Sequence, residues 1–262
     1  MKTSMLALAA VALAAHAQQD AGEATAPPAA AAIARAPTAE QLLDRVDRNL
    51  TFDTRRTHAV MTVEGRRTRS YEMVTYGRGE SDGATEYLSP ARDKGTRMLK
   101  LGDELWLYLP GVDRVQKISG HMLREGMMGS DVSYEDMMSS NQVRKRYTAK
   151  VIGEDTVDGR KCWKLEMKAR DDSVSYPRRM SWIDQEVYIP LKQELYAVSG
   201  MLLKTWTMSE VKEFPGGRRF PTRMTIQDHV KKESVTRIEF KEVEFALPLE
   251  NEIFSLRWLE RR

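Results

Sequence analysis

The residues with the most distinctive chemistry are five methionines that fall within the segment Ser119–Ser140, SGHMLREGMMGSDVSYEDMMSS. Thioether side chains are unbranched and polarizable, so they adapt to apolar partners of irregular shape. The same sulfur atoms are soft ligands that can bind Cu(I), and His121 lies beside Met122. The spacing is typical of an amphipathic cover and not of a repeated Met-x-x-Met array. The segment therefore predicts a movable lid over an apolar cavity, with copper binding as the weaker alternative.

The same segment contains residues that could control the lid. Asp131 precedes a short predicted helix, SYEDMM, in which Ser133 can act as the N-cap and Asp136 follows three residues later. Asp131 can therefore have a structural role, in which it sets how the chain enters the helix. The alternative is a gating role, in which Asp131 or Arg124 holds the lid by an ion pair.

Other reactive residue types give little indication of catalysis. Cys162 is the single cysteine and lies in a predicted strand, so we expect an ordinary buried thiol. His58, His121 and His229 lie outside any nucleophile or zinc motif. We therefore expect a protein that is not an enzyme, with no cofactor and no metal.

The N-terminal region has the pattern of an export signal. Lys2 precedes an apolar run from Met5 to Ala15, and the sequence Ala-His-Ala follows, which predicts cleavage after Ala17. Residues 18–37 are rich in alanine and proline, which predicts a disordered tether. Residues 38–262 then form one predicted domain, and we expect the mature protein in the periplasm.

The rest of the chain predicts one helix followed by many short strands. In Thr38–Leu50, Thr38 and Gln41 have capping-box spacing and the apolar residues recur at helical intervals. From Arg56 onward apolar residues alternate, and turn sequences recur about every ten residues. About a dozen antiparallel strands must curl, so we expect a mainly β (α+β) fold: a strongly curved half-barrel with the N-terminal helix and a helical lid on its concave face.

The charge is balanced, with 41 lysines and arginines against 38 aspartates and glutamates. This balance argues against nucleic acid as the main partner. Basic pairs such as Arg66-Arg67 and Lys231-Lys232 flank predicted turns. They favour solubility and protection of strand edges, with contact to anionic headgroups or an acidic transporter as the alternative.

Several motifs resemble those of a known family. They are the sequence WLYLP at 106–110 with its preceding Leu105, the GSD and SYED sequences at 129–131 and 133–136, WID at 182–184, PLK at 190–192 and GMLLKT at 200–205. Together with the helix and the β-meander, they resemble the outer membrane lipoprotein-sorting proteins, a LolA-like group. The similarity extends over roughly residues 39–259.

The resemblance implies a half-barrel of about eleven strands whose hollow holds acyl chains of a lipid or lipoprotein. It also implies a soluble carrier that makes transient contact with membrane surfaces and receives its cargo from, or delivers it to, an inner-membrane transporter. We expect a monomer. The alternative is a periplasmic sensor or adaptor of the same fold that binds an envelope protein.

The candidate ligand-binding residues are the apolar and aromatic side chains of the predicted strands and of the lid. From the strands these are Met98, Trp106, Trp163, Trp182, Trp206, Met208 and Met224, and from the lid Met122, Met127, Met128, Met137 and Met138. Their strand phases are the sensitive part of this prediction, because a shift of one residue moves a side chain to the opposite face.

Overall fold

The computed structural model describes residues 37–261, apart from residues 140–142, 173 and 232. The predicted signal peptide and all but the last residue of the predicted tether lie outside the described residues. Within the described part, no helix is both long and apolar enough to cross a bilayer.

The first element is helix α1, Ala39–Leu50, and its start is set by the predicted capping box. The Thr38 hydroxyl accepts a hydrogen bond from the Gln41 backbone N–H, and the Gln41 side chain accepts one from the Thr38 N–H. These bonds satisfy two donors that would otherwise be unpaired at the helix start. Leu42 and Val46 are buried, so the apolar stripe faces the sheet as predicted.

Within the described residues thirteen strands follow, in a single curved and unclosed antiparallel sheet. They are β1 (Thr54–Glu64), β2 (Arg69–Arg78), β3 (Asp82–Ser89), β4 (Arg97–Leu101), β5 (Glu104–Leu109), β6 (Arg114–Ile118), β7 (Tyr147–Val157), β8 (Arg160–Ala169), β9 (Arg178–Asp184), β10 (Pro190–Tyr196), β11 (Leu202–Phe214), β12 (Arg218–Asp228) and β13 (Val235–Phe245). The mainly β, half-barrel prediction is confirmed, with slightly more strands than the eleven or twelve expected.

The strand order explains where the lid must run. The order is β6-β5-β4-β3-β2-β1-β13-β12-β11-β10-β9-β8-β7, so the first and last strands pair in the middle while β6 and β7 form the two edges. The chain between β6 and β7 therefore has to pass from one edge of the sheet to the other. That connection is the methionine-rich segment, which we call the lid (residues 119–139).

The lid contains little regular structure. It has two 3-10 turns, Gly120–Arg124 and Met127–Gly129, followed by the short helix α2, Tyr134–Ser139. Helix α3, Val143–Arg146, leads into β7. Short helices with few internal hydrogen bonds derive their stability from packing on the sheet.

The sheet has two faces that are covered by different parts of the chain. The lid and α1 pack on one face, which we call the covered face. On the other, the outer face, the C-terminal residues pack against Leu99 and Tyr108. These residues form a 3-10 turn, Asn251–Phe254, and helix α4, Leu256–Leu259. Trp258 and Leu259 are buried there.

Candidate functional site

The lid methionines lie against the covered face as predicted. Met127 is buried, and the other four are partly buried against the same apolar cluster. The sheet side of this cluster includes three of the candidate residues, Met98, Trp206 and Met224. The structure therefore brings the five lid methionines and three strand candidates together.

Two further candidates lie on the same face at other places. Trp163 packs in the cluster formed with α1. Met208 pairs directly with Met224 across β11 and β12, so both side chains are on one face of the sheet. Met208 packs mainly with the residues around Ile189 and Leu191.

Trp106 and Trp182 do not reach the covered face. Trp106 pairs with Leu99 and packs in the cluster beneath the C-terminal helix. Trp182 lies between two lysine ammonium groups, at 4.8 Å from Lys164 and 4.5 Å from Lys192, measured to the ring centroid. The sheet register places both side chains opposite to the prediction, because their neighbours along the strand occupy the covered face.

The covered face is filled by its own side chains in this conformation. Met61, Tyr71, Tyr87 and Met98 are each at most 1% exposed beneath the lid. The hollow expected from the sequence is thus occupied by the lid itself. A depression of about 420 Å³ lies on the outer face and is lined partly by Tyr76, Arg97 and Trp258. A ligand can enter the covered face only if the lid moves.

Asp136 in helix α2 joins the lid to the sheet through a buried ion pair. Its carboxylate is 2.5 Å from the Lys204 ammonium of β11, and the two side chains are 3% and 7% exposed. The other oxygen accepts a hydrogen bond of 2.9 Å from the Tyr176 hydroxyl. Burial raises the pKa of Tyr176, and the nearby Asp136 charge raises it further, so the phenol stays a donor.

The same aspartate also caps its own helix. The Ser133 hydroxyl accepts a hydrogen bond from the Asp136 N–H, and the Asp136 carboxylate accepts one from the Ser133 N–H at 2.8 Å. The predicted N-cap at Ser133 is therefore confirmed. Asp136 therefore both starts helix α2 and fixes it to β11.

Asp131 provides a second attachment, through hydroxyl groups of the sheet. Its side chain is fully buried, and one carboxylate oxygen accepts hydrogen bonds from the hydroxyls of Thr236 at 2.7 Å and Ser234 at 3.0 Å. Its backbone N–H donates to the same Thr236 oxygen. Within the described residues, the second carboxylate oxygen has no hydrogen-bond partner. Buried carboxylates with an unpaired oxygen destabilise the conformation that holds them.

The gating residues named from the sequence need a correction. Asp131 does bind the lid to the sheet, but its partners are hydroxyl groups. Arg124 is exposed and has no ion pair among the described residues. The buried charge pair of the lid is Asp136–Lys204. The one sequence signal for it was Lys204 itself, a lysine at a covered-face position of a strand.

Two cations at one end of the sheet also bind lid carbonyl groups. The Lys231 ammonium donates to the Ser130 carbonyl at 2.5 Å, and the Arg69 guanidinium donates to the Gly129 carbonyl at 3.1 Å. The lid backbone is tight here, since a Cβ atom at Gly126 would lie 2.2 Å from the Ser130 carbonyl oxygen. The polar contacts near residues 129–136 thus add to the apolar packing that holds the lid on the sheet.

The single cysteine is an ordinary strand residue, as the sequence predicts. Cys162 is fully buried, and burial raises its pKa to about 11. The part of the chain that the structure describes contains no group of three or more His, Cys, Asp or Glu side chains arranged to hold a metal ion.

Comparison with known proteins identifies the fold. A family model described as "Uncharacterized protein" matches residues 79–261, which is more than half of the chain. No curated protein matches the sequence. Among solved structures, a DUF1329 family protein from Desulfovibrio piger is similar, with a TM-score of 0.78 and 24% identity, over 84% of this chain and 96% of that protein.

Two further structures carry more descriptive names. A putative outer membrane lipoprotein-sorting protein domain from Vibrio parahaemolyticus matches with a TM-score of 0.77 and 25% identity, over 85% of this chain and 97% of the other. A LolA superfamily protein from Nitrosomonas europaea matches with a TM-score of 0.70 and 23% identity, over 85% and 100%. The chain therefore belongs to the family that the model describes, and it has the LolA-like fold of the outer membrane lipoprotein-sorting group.

Proposed function

We propose that this protein is a periplasmic carrier that binds the acyl chains of a lipid or lipoprotein between its lid and the covered face of its sheet. The observation that supports the proposal is the lid itself. Five methionines lie over an apolar face, and the lid is fixed to the sheet by a few polar contacts. We infer that this cover detaches from the sheet to admit a ligand.

The energetics of the exchange favour an acyl chain as the guest. Each buried methylene group contributes about 0.8 kcal/mol, so one long chain gains on the order of 10 kcal/mol when it leaves water. Lid opening exposes methionines from the covered face, and the acyl chain replaces the contacts that the lid made there. Methionine side chains can form both sets of contacts because they have many accessible rotamers.

Unpaired polar groups beneath the lid suit the polar end of such a ligand. Within the described residues, the Tyr87 hydroxyl and the Trp206 indole N–H are buried and have no hydrogen-bond partner. Burial also raises the pKa of Tyr87, so its hydroxyl remains protonated and can donate. Buried donors without a partner are rare in native proteins, and an ester carbonyl oxygen would satisfy them.

We assign the acyl-chain contacts to Met98, Trp206, Met208 and Met224 from the sheet, with Trp163 near α1. The lid contributes Met122, Met127, Met128, Met137 and Met138. Trp106 and Trp182 are left out because they lie on the outer face. Since the chain carries no nucleotide-binding loop, the energy for loading comes from a partner, for which an inner-membrane transporter is the proposed candidate.

The test is the lipid content of the protein purified from its native envelope without detergent. Native mass spectrometry should detect the protein with bound acyl lipid. Replacement of Met127, Met128, Met137 and Met138 by serine should abolish lipid uptake, while leucine at the same positions preserves it. Near-UV circular dichroism of both variants checks that the sheet remains folded. A protein that purifies empty and instead captures one envelope protein would favour the sensor or adaptor function.

A further inference from the structure

Large hydrophobic side chains are exposed almost entirely at one end of the sheet. Among the residues that the structure describes, five such residues are exposed, and four of them occupy turns at this end: Val112 at 66%, Val198 at 92%, Met201 at 55% and Val230 at 63%. The fifth, Leu256, is on helix α4. Exposed apolar residues scattered singly are ordinary, but Val198, Met201 and Val230 lie on two neighbouring turns, which indicates a contact surface.

The strand pairing shows that three of these turns are neighbours. Glu64 at the end of β1 pairs with Val235 at the start of β13, and Asp228 at the end of β12 pairs with Lys204 near the start of β11. The turns 65–69, 229–234 and 197–201 therefore follow one another along the same end of the sheet. We call these three turns the basic rim.

The basic rim carries an excess of positive charge, whereas the charge of the whole chain is nearly balanced. Among its described residues, four exposed cations, Arg66, Arg67, Arg69 and Lys231, stand against one exposed carboxylate, Glu233. Apolar tips flanked by cations are the combination that binds an anionic bilayer, since the tips insert among the lipids while the cations meet phosphate groups.

We propose that the basic rim docks this protein on an anionic phospholipid bilayer, with Val198, Met201 and Val230 inserted at the headgroup level. Docking also affects the hydrogen bonds that hold the lid. Lys231 and Arg69 of the rim donate to the lid carbonyls of Ser130 and Gly129. Lipid phosphates compete for these two cations, so docking weakens the closed lid at the place where cargo would enter. This second step depends on the carrier function proposed above, whereas docking does not.

The docking test is co-sedimentation of the mature full-length protein with vesicles of phosphatidylethanolamine and phosphatidylglycerol, compared with vesicles of phosphatidylcholine alone. Binding is expected only to the anionic vesicles and should fall as salt is added. The double variant R66Q/R67Q should lower the partition coefficient about thirtyfold, at roughly fivefold for each charge removed. The variant V198S/V230S should also weaken binding.

The matched control is L256S/R257Q, which removes one exposed apolar residue and one exposed cation from the outer face. It should bind like the wild type. Equal binding to both vesicle types, equal loss in the control, or self-association through the rim on size-exclusion chromatography would overturn the docking proposal.

Hydrogen exchange of residues 127–139 provides the readout for the lid. Anionic vesicles should accelerate this exchange, and phosphatidylcholine vesicles should leave it unchanged. Vesicle binding without faster exchange would overturn the coupling to the lid. The lipid content of R66Q/R67Q, measured by mass spectrometry, separates the docking proposal from the carrier proposal. A carrier that has lost only its docking surface still binds acyl chains in detergent.

Discussion

Replacement of Lys204 by methionine is expected to open the lid without unfolding the sheet. The change leaves the Asp136 carboxylate buried without its counter-charge, although the Ser133 N–H and the Tyr176 hydroxyl still donate to it. Breaking a buried ion pair in this way costs about 3–5 kcal/mol. Since each 1.36 kcal/mol is a tenfold change, the equilibrium constant for lid opening should rise by about two to nearly four powers of ten.

The assay is hydrogen exchange of lid amides, read against strand amides of β1 and β13 in the same protein. The matched control is K117M, which breaks the pair with Glu104, where both side chains are about half exposed. Exposed pairs contribute about 0–1 kcal/mol, so lid exchange in this control should not change.

A double variant makes the reasoning stricter. Adding Asp136→Asn to Lys204→Met removes the uncompensated charge, so the double variant should open less often than the two single effects predict together. Unchanged lid exchange in Lys204→Met, or full additivity in the double variant, would refute the assignment of this ion pair as the closure of the lid.

Three further results are expected. Gly126→Ala should disorder the lid, because the new methyl group would lie 2.2 Å from the Ser130 backbone oxygen. The control is Gly111→Ala, where no atom lies within 4 Å of the added Cβ, and it should leave the lid ordered. The rate of proteolysis within the lid compares the two variants. Lipids with brominated acyl chains should quench Trp206 fluorescence, so Trp206→Phe loses most of the quenching while Trp106→Phe keeps it; the reverse pattern would place the ligand on the outer face. Cys162, with its pKa raised by burial from 9.0 to about 11, should have about a hundredfold smaller thiolate fraction at pH 8 than in unfolded protein, and fast native reaction with a thiol reagent would be inconsistent with its burial.

The parts of the fold that depend on local sequence could be predicted. Thr38 and Gln41 form the expected capping box, and Ser133 caps its helix with Asp136. Alternating apolar residues predicted the positions of the strands, and the turn sequences predicted where the strands end. These signals operate over a few residues, so no knowledge of distant partners is needed.

The face of the sheet on which a given side chain lies depends on the pairing of strands that are distant in sequence. That pairing cannot be read from the local sequence. Trp106 was expected on the covered face, but the register of β5 against β4 turns it outward, toward the C-terminal helix. A single residue of error in phase is enough for this difference. The methionines of the lid do lie against the covered face, because the lid, as a unit, has only one face of the sheet to cover.

The lid closure was missed for a related reason. Lys204 lies 68 residues from Asp136 in sequence, and only the pairing of β11 with its neighbours brings the two together. A lysine between Leu202 and Trp206 on one face of β11 was the available signal, since a buried lysine requires a partner. The sequence alone did not indicate which carboxylate that partner would be.

The most direct test of the carrier proposal is native mass spectrometry of the protein released from its own envelope, followed by chemical identification of what dissociates from it. We predict an additional mass that fragments to fatty acyl chains and that is lost when the lid methionines are replaced by serine. A protein of bare mass, which also takes up no acyl lipid when Lys204→Met has opened the lid, would contradict the proposal.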